Sequence, residues 1–176
     1  LSLDEQIASG KTAIIVPDGF ENAGMSENVF VGTAMKRRSL YQYGSVIQPG
    51  EQGRLSVGIG LAVSQGEVGY LSPTFNVTEE VFETTIDGVK VIFQLTPDTE
   101  SPAEMNTYFP DKKALWLAEN CTASMHNIYT LRGAEVRDAN SWARYITEAQ
   151  SLFGKDAEVV FQTDNWPHWG NDVIQE

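Results

Sequence analysis

The sequence predicts an α/β fold with a mixed sheet and flanking helices. Three observations predict it. "VFETTIDGVKVIFQL" (81–95) runs outward, turns at Asp87-Gly88 and returns, which is the signal of a two-residue type I′ hairpin. "ANSWARYITEAQSLFG" (139–154) repeats Trp142, Tyr145, Ile146, Ala149, Leu152 and Phe153 at i, i+3, i+4 spacing, with Gly154 just past the end, and so reads as an amphipathic helix. That helix lies between two apolar runs, 113–118 and 157–163, so a β-helix-β crossover makes those two strands parallel.

The other elements follow in order. "KTAIIVP" (11–17) is a short β-branched run closed by proline, a strand. "NVFVGTAMKRRSLYQYG" (28–44) places Val31, Ala34, Met35, Arg38 and Tyr41 near helical spacing and ends on Gly44, a helix with a glycine cap. Residues 48–66 hold five of the fifteen glycines and read as a long loop, either a substrate contact or a surface excursion. Strands are predicted at 104–109 and 113–118, joined by "PDK". The last strand runs into "DNWPHWGN", a polar and aromatic loop. No break in composition divides the chain, so residues 1–176 read as a single domain.

The 176 residues suffice for one hydrophobic core. A net charge of −12, from 24 acids against 12 Lys and Arg, repels phosphate backbones and argues against nucleic acid as a partner. Cys121 is the only cysteine, so no internal disulfide is possible and any redox compartment is compatible. No apolar run reaches the roughly 20 residues of a membrane span. The opening "LSLDEQIASG" is too polar for a signal peptide, and a start at Leu1 suggests processing or a longer parent. There is no P-loop, no G-x-G-x-x-G, no G-x-S-x-G and no zinc-finger spacing. Asn76-Val77-Thr78 and Asn120-Cys121-Thr122 match the weak glycosylation pattern.

The strand order puts several acids at one place. If the strand at 89–95 points up, 104–109 returns down, 113–118 points up, and the crossover makes 157–163 point up as well. Glu100, Glu119 and Asp164 then lie just past three strand ends on one sheet edge. Ligands of α/β sheets bind at the carboxyl ends of strands. Like charges this close call for a counter-cation or a retained proton, and a metal is the economical solution. Taken singly, Glu100 and Asp164 read as solvated loop acids, whereas Glu119 ends an apolar strand and should be partly buried. Glu104 reads as a strand acid facing solvent. His126, between Met125 and Asn127, reads as a hydrogen-bonded packing residue more readily than as a ligand, and His168 as a residue of the aromatic loop. Arg132 could fork two hydrogen bonds to an oxyanion or pair with Glu135 or Asp138. "MKRR" (35–38) could attract an anion or be a solvated face.

Beyond these patterns, "SENVFVGTAMKRRSLYQYG", "TIDGVKVIFQLTPDTESPAEMNTYFP", "LAENCTASMHNIYTLRGAEVRDANSWARYI" and "WPHWGN" resemble the alkyl/aryl sulfatases of the metallo-β-lactamase superfamily, from about Ile7 to Asn171. The resemblance implies an αββα sandwich, here its second half, with two zinc ions at the strand ends. It implies hydrolysis of alkyl sulfate esters, including long-chain detergents, by a metal-activated water. Glu100 and Glu119 take the places of two metal-ligand glutamates, Glu119 being the bridging, catalytic one. Asn127 and Arg132 match residues that hold the sulfate, and apolar walls would hold the alkyl chain.

Two departures modify that expectation. The family's H-x-H-x-D-H run, source of four metal ligands, is absent from this chain. The histidines that usually precede "WP" are Asp164-Asn165 here; Asp164 could still ligate a hard cation, but the change weakens the preference for zinc. The isolated chain is therefore expected to be inactive or nearly so, with its activity belonging to a longer parent. An uncovered sheet edge would invite pairing with the other half of the domain or with a second copy, as in a dimer. The family also suggests a periplasmic or secreted bacterial protein, although no signal peptide is visible. The alternative reading is a binding or interaction module that keeps the fold and has lost its metal-ligand histidines.

Overall fold

A computed structural model describes residues 3–58, 60–62, 66–67 and 69–176. Its elements in chain order are helix α1 (Leu3–Ala8), strand β1 (Ile15–Pro17), helix α2 (Phe20–Met25), a π-helical turn (Ser26–Phe30), helix α3 (Gly32–Gln42), strands β2 (Phe75–Val77), β3 (Val81–Ile86), β4 (Val89–Leu95) and β5 (Met105–Phe109), a 3₁₀ turn (Pro110–Lys112), strand β6 (Ala114–Trp116), helix α4 (Ala139–Phe153), strands β7 (Val159–Phe161) and β8 (His168–Trp169), and helix α5 (Asn171–Gln175). The chain forms two compact units: Leu1–Phe20 with Pro73–Ile128 and Arg137–Glu176, and Glu21–Ser72 with Tyr129–Val136.

The first unit is built on a six-stranded sheet in the order β3-β4-β5-β6-β7-β8. β4–β5 and β5–β6 are antiparallel and β6–β7 is parallel, so β4, β6 and β7 point the same way, as the crossover argument requires. The hairpin forms as predicted. Ile86 pairs with Val89, and both Asp87 (φ 49°) and Gly88 (φ 78°) are left-handed, which is what a type I′ turn demands. β1 and β2 pair in parallel as a separate two-stranded sheet, a contact across sixty residues that no local pattern announced.

Period-two alternation divides the apolar residues between two faces. Val91, Phe93 and, less deeply, Leu95 of β4 pack with Val77, Ile15 and Phe82. The opposite face carries Tyr108, Leu115 and Val160, covered by Ala149 and Phe153 of α4. Phe153 stacks on Tyr108 with ring centroids 4.9 Å apart. Of the predicted α4 face, Trp142, Ala149 and Phe153 are buried, while Leu152 is about half exposed. Asp138 caps the helix, accepting from the backbone N–H groups of Asn140 and Ser141 at 2.9 and 3.2 Å. Gly154 does not act as a left-handed cap. Its φ is −59°, and a Cβ there would stand 2.5 Å from the Gln150 carbonyl oxygen, so the glycine serves close packing.

In the second unit the helix predicted at 28–44 is shorter and follows other helical turns. Helical structure begins at Phe20, passes through the π turn and re-forms as α3, which ends near the predicted Gly44. Ser45 N–H bonds the Leu40 carbonyl and Gly44 N–H the Tyr41 carbonyl, the paired bonds of a Schellman ending. Only Met35 of the predicted apolar face is buried; Val31 and Tyr41 are exposed. The predicted loop at 48–66 contains one isolated bridge, Pro49 to Arg54, and no other regular element among its described residues; Ile59 and 63–65 lie outside them.

Candidate metal centre

Each strand that points up is followed by a left-handed, non-glycine residue: Asp98 (φ 61°) after β4, Ala118 (φ 50°) after β6 and Asp164 (φ 71°) after β7. Such a backbone is uncommon outside glycine and turns the chain sharply. Leu117 and Thr163 extend the β6–β7 pairing, donating to the Phe161 and Ala118 carbonyls. The turn at Ala118 then redirects Glu119 out of the sheet.

Glu100, Glu119 and His126 converge, and each offers a ligand atom within 4.8 Å of the others. Asp164 hydrogen-bonds Glu119. The edge deduced from strand directions is therefore where these acids meet, and Glu119 is half-buried as expected. Desolvation, the hydrogen bond to Asp164 and the nearby Glu100 charge push Glu119 up to about 8. Glu104 differs from its predicted place. It lies just before β5, is half-buried, and is pushed up to about 7 by burial and by Glu100.

His126 takes the hydrogen-bonded packing role expected of it, its ring centroid 5.3 Å from that of Trp142, and it also stands beside the acid cluster. Nδ1 lies 2.7 Å from the Asn127 carbonyl oxygen, which can only accept, so Nδ1 carries a hydrogen, and in the neutral ring Nε2 is then the nitrogen with the lone pair. A backbone carbonyl on one ring nitrogen is the usual outer partner of a metal-ligating histidine.

Two groups fix Glu100. Arg137 donates through Nε to the Glu100 carbonyl oxygen at 2.5 Å and through a terminal nitrogen to the Glu100 carboxylate. Its other terminal nitrogen reaches Asn127, 2.7 Å to Oδ1 and 3.1 Å to the carbonyl. Asn120 is 3 % exposed and donates to Thr96 Oγ1 and Asn106 Oδ1, both at 3.0 Å, while its own Oδ1 accepts from Glu100 N–H at 3.4 Å. Asn106 continues to Gln94 at 3.0 Å, and Trp142 Nε1 donates to the Asn120 carbonyl at 2.6 Å. Burial of Asn120 also removes it as a glycosylation acceptor.

Arg132 belongs to the second unit. Its backbone N–H bonds Gln42 and its guanidinium donates to Tyr43 Oη at 3.1 Å, in place of the Glu135 or Asp138 pair considered above. His168 lies in β8.

The acid cluster has a pH signature. A carboxyl whose folded pKa is raised from 4.5 binds its proton more tightly folded than unfolded. Its contribution to stability is full below about pH 4.5 and is lost as pH rises through 7 to 8. Urea midpoints of the metal-free chain should therefore fall between pH 5 and pH 8.5, and Glu119→Gln should flatten that fall. An equal fall in the variant would locate the titration elsewhere.

No model of a protein family matches the chain. It is 44% identical over 173 residues to the alkyl/aryl-sulfatase BDS1 of Saccharomyces cerevisiae and 41% identical over 174 residues to a linear primary-alkylsulfatase of a Pseudomonas species, with 98% of this chain covered in both. Over nearly its whole length the chain is similar to a segment of these alkylsulfatases. It spans about a quarter of those relatives, 27% and 26% of their lengths. Its fold matches the stereoselective inverting sec-alkylsulfatase Pisa1 of a Pseudomonas species with a TM-score of 0.91 at 38% identity, covering 98% of this chain and 27% of that one. An archaeal metallo-β-lactamase superfamily protein, ST1585 from Sulfolobus tokodaii, shares the fold at a TM-score of 0.56 and 15% identity, covering 98% of this chain and 59% of that one. The metallo-β-lactamase-like fold and the mixed sheet with flanking helices are thus as the sequence predicted.

Proposed function

We propose that this chain supplies, within a longer polypeptide, the carboxylate-rich half of a metal site that hydrolyses alkyl sulfate esters, and that the chain alone is inactive or nearly so. The observation that carries the reading is the convergence of Glu100, Glu119 and His126, with Asp164 against Glu119. The donor set suits a divalent cation: a proton held on Glu119 to about pH 8 occupies the position that a bound cation would relieve. One nitrogen among oxygens falls short of a full zinc complement, which supports the need for ligands from elsewhere in the polypeptide.

Glu100, Glu119, Asp164 and His126 would hold the metal, zinc in this reading. When bound, it supplies Lewis acidity and an activated water. Asn127 and Arg132 keep the sulfate-holding roles implied by resemblance, their N–H donors offsetting charge that grows on the sulfate oxygens. The relatives' names, alkyl/aryl-sulfatase and alkylsulfatase, support sulfate esters as the substrate class. The sheet edges at β3 and β8 support pairing with the rest of the polypeptide or with a second copy.

A chimera tests the reading. Residues 1–176 replace the matching segment of Pisa1, and hydrolysis of a secondary alkyl sulfate is measured together with zinc content. Activity is expected, with Glu119→Gln abolishing it and Asp164→His raising zinc retention. A folded, zinc-loaded chimera that remains inactive with histidine at 164 would favour the binding-module alternative.

A further inference from the structure

We infer that Arg137 is a positioning residue that fixes which end of the Asn127 amide faces an oxyanion; the inference rests on the sulfate-holding role proposed for Asn127. The Arg137 side chain is 8% exposed, so its fork is held by protein. Three of its nitrogens are engaged: Nε on the Glu100 carbonyl, one terminal nitrogen on the Glu100 carboxylate, and the other on both oxygens of Asn127.

Guanidinium offers donors and no acceptor. The Asn127 atom turned toward it must therefore be Oδ1, which leaves Nδ2, with two N–H groups, on the opposite side. Asn127 is exposed, and among the described residues its Nδ2 donates to none. Reversing the amide would place two N–H groups against a buried cation and present a carbonyl oxygen outward, where it would repel a sulfate. The His126 ring nitrogen adds a second contact to the Asn127 carbonyl at 2.7 Å, so the backbone of that residue is tied down as well. Arg137 thus serves two expected functions from one buried fork: it holds the Glu100 carboxylate, and it presents a donor to the anion. Lysine has the charge but not the planar fork, and cannot do both.

The test uses the full chain labelled with ¹⁵N and ¹³C, with inorganic sulfate as the probe. In the parent, sulfate is expected to shift the Asn127 side-chain N–H signals, and a scalar coupling is expected across the Arg137–Asn127 Oδ1 bond. In Arg137→Lys the coupling is lost and the apparent sulfate affinity read at Asn127 falls at least tenfold, while signals of α4 and the sheet stay in place. A merely structural role would shift those core signals instead. If the parent responds and the lysine variant responds within twofold, the inference fails and the sulfate role of Asn127 stands. If sulfate leaves Asn127 unmoved in the parent, the sulfate role itself fails and the inference with it. Should the lysine variant not fold, the coupling in the parent decides: its absence on an assigned pair overturns the orientation.

Discussion

Asn120→Ala is expected to destabilise the chain by about 3 kcal/mol, most of it from polar groups left behind. The substitution removes a side chain 3% exposed whose partners are as deeply buried: Thr96 is 0% and Asn106 is 1% exposed. Three bonds go at once, to Thr96 Oγ1, to Asn106 Oδ1 and from Glu100 N–H. Each buried polar group left unpaired costs about 1–3 kcal/mol. The total stays near the lower bound because the Thr96 hydroxyl can rotate and the Glu100 contact is long. The Trp142 bond survives, since it ends on the Asn120 backbone carbonyl, so α4 keeps its anchor. Thr96→Val tests the same network from one end and should cost less, about 1 kcal/mol. Urea titration at pH 6 measures both. A loss below 1 kcal/mol for Asn120→Ala would mean that water replaces the side chain.

The elements that the sequence specified share a physical property: each is set by local periodicity or by a single turn. The Asp87-Gly88 hairpin needs only two left-handed residues, and α4 needs only its apolar stripe. Chain direction then follows from short connections, which is why Glu100, Glu119 and Asp164 could be assigned to one edge before any side chain was placed. What escaped depends on contacts between distant segments. β2 is three residues long and gains its partner, β1, from sixty residues earlier in the chain. His126 reaches the acids because Arg137 N–H closes its loop onto the Ile128 carbonyl at 2.9 Å, and neither residue's neighbourhood shows this. Glu104 stands beside a predicted strand, so alternation suggested an exposed acid; the loop that brings Glu100 back toward it decides otherwise. Arg137 did carry a faint signal, an arginine directly before a helix-capping aspartate in a chain with few cations. The helix read at 28–44 forms over its later part and ends near Gly44, yet its spaced apolar residues, Val31 and Tyr41 among them, remain exposed.

The other large effect is expected from Arg137→Met, a loss of about 3–5 kcal/mol, typical of breaking a buried ion pair by removing one partner. The pair is well buried, with Arg137 8% and Glu100 14% exposed at the side chain. Removing the guanidinium leaves Glu100 beside Glu104 and Glu119, and Glu119 beside Asp164. Protonation then gives local relief, so the loss should be larger at pH 8 than at pH 5. This dependence separates electrostatics from lost packing, which pH does not alter. A double variant, Glu100→Gln with Arg137→Met, removes the uncompensated charge and should recover part of the stability, because much of the single-variant loss is a stranded carboxylate rather than the net worth of the pair. A divalent cation should rescue the single variant more than the parent, since it replaces the positive charge at the same cluster. If the double variant is no more stable than Arg137→Met, and the loss is equal at both pH values, the guanidinium acts through packing and the acids tolerate one another without it.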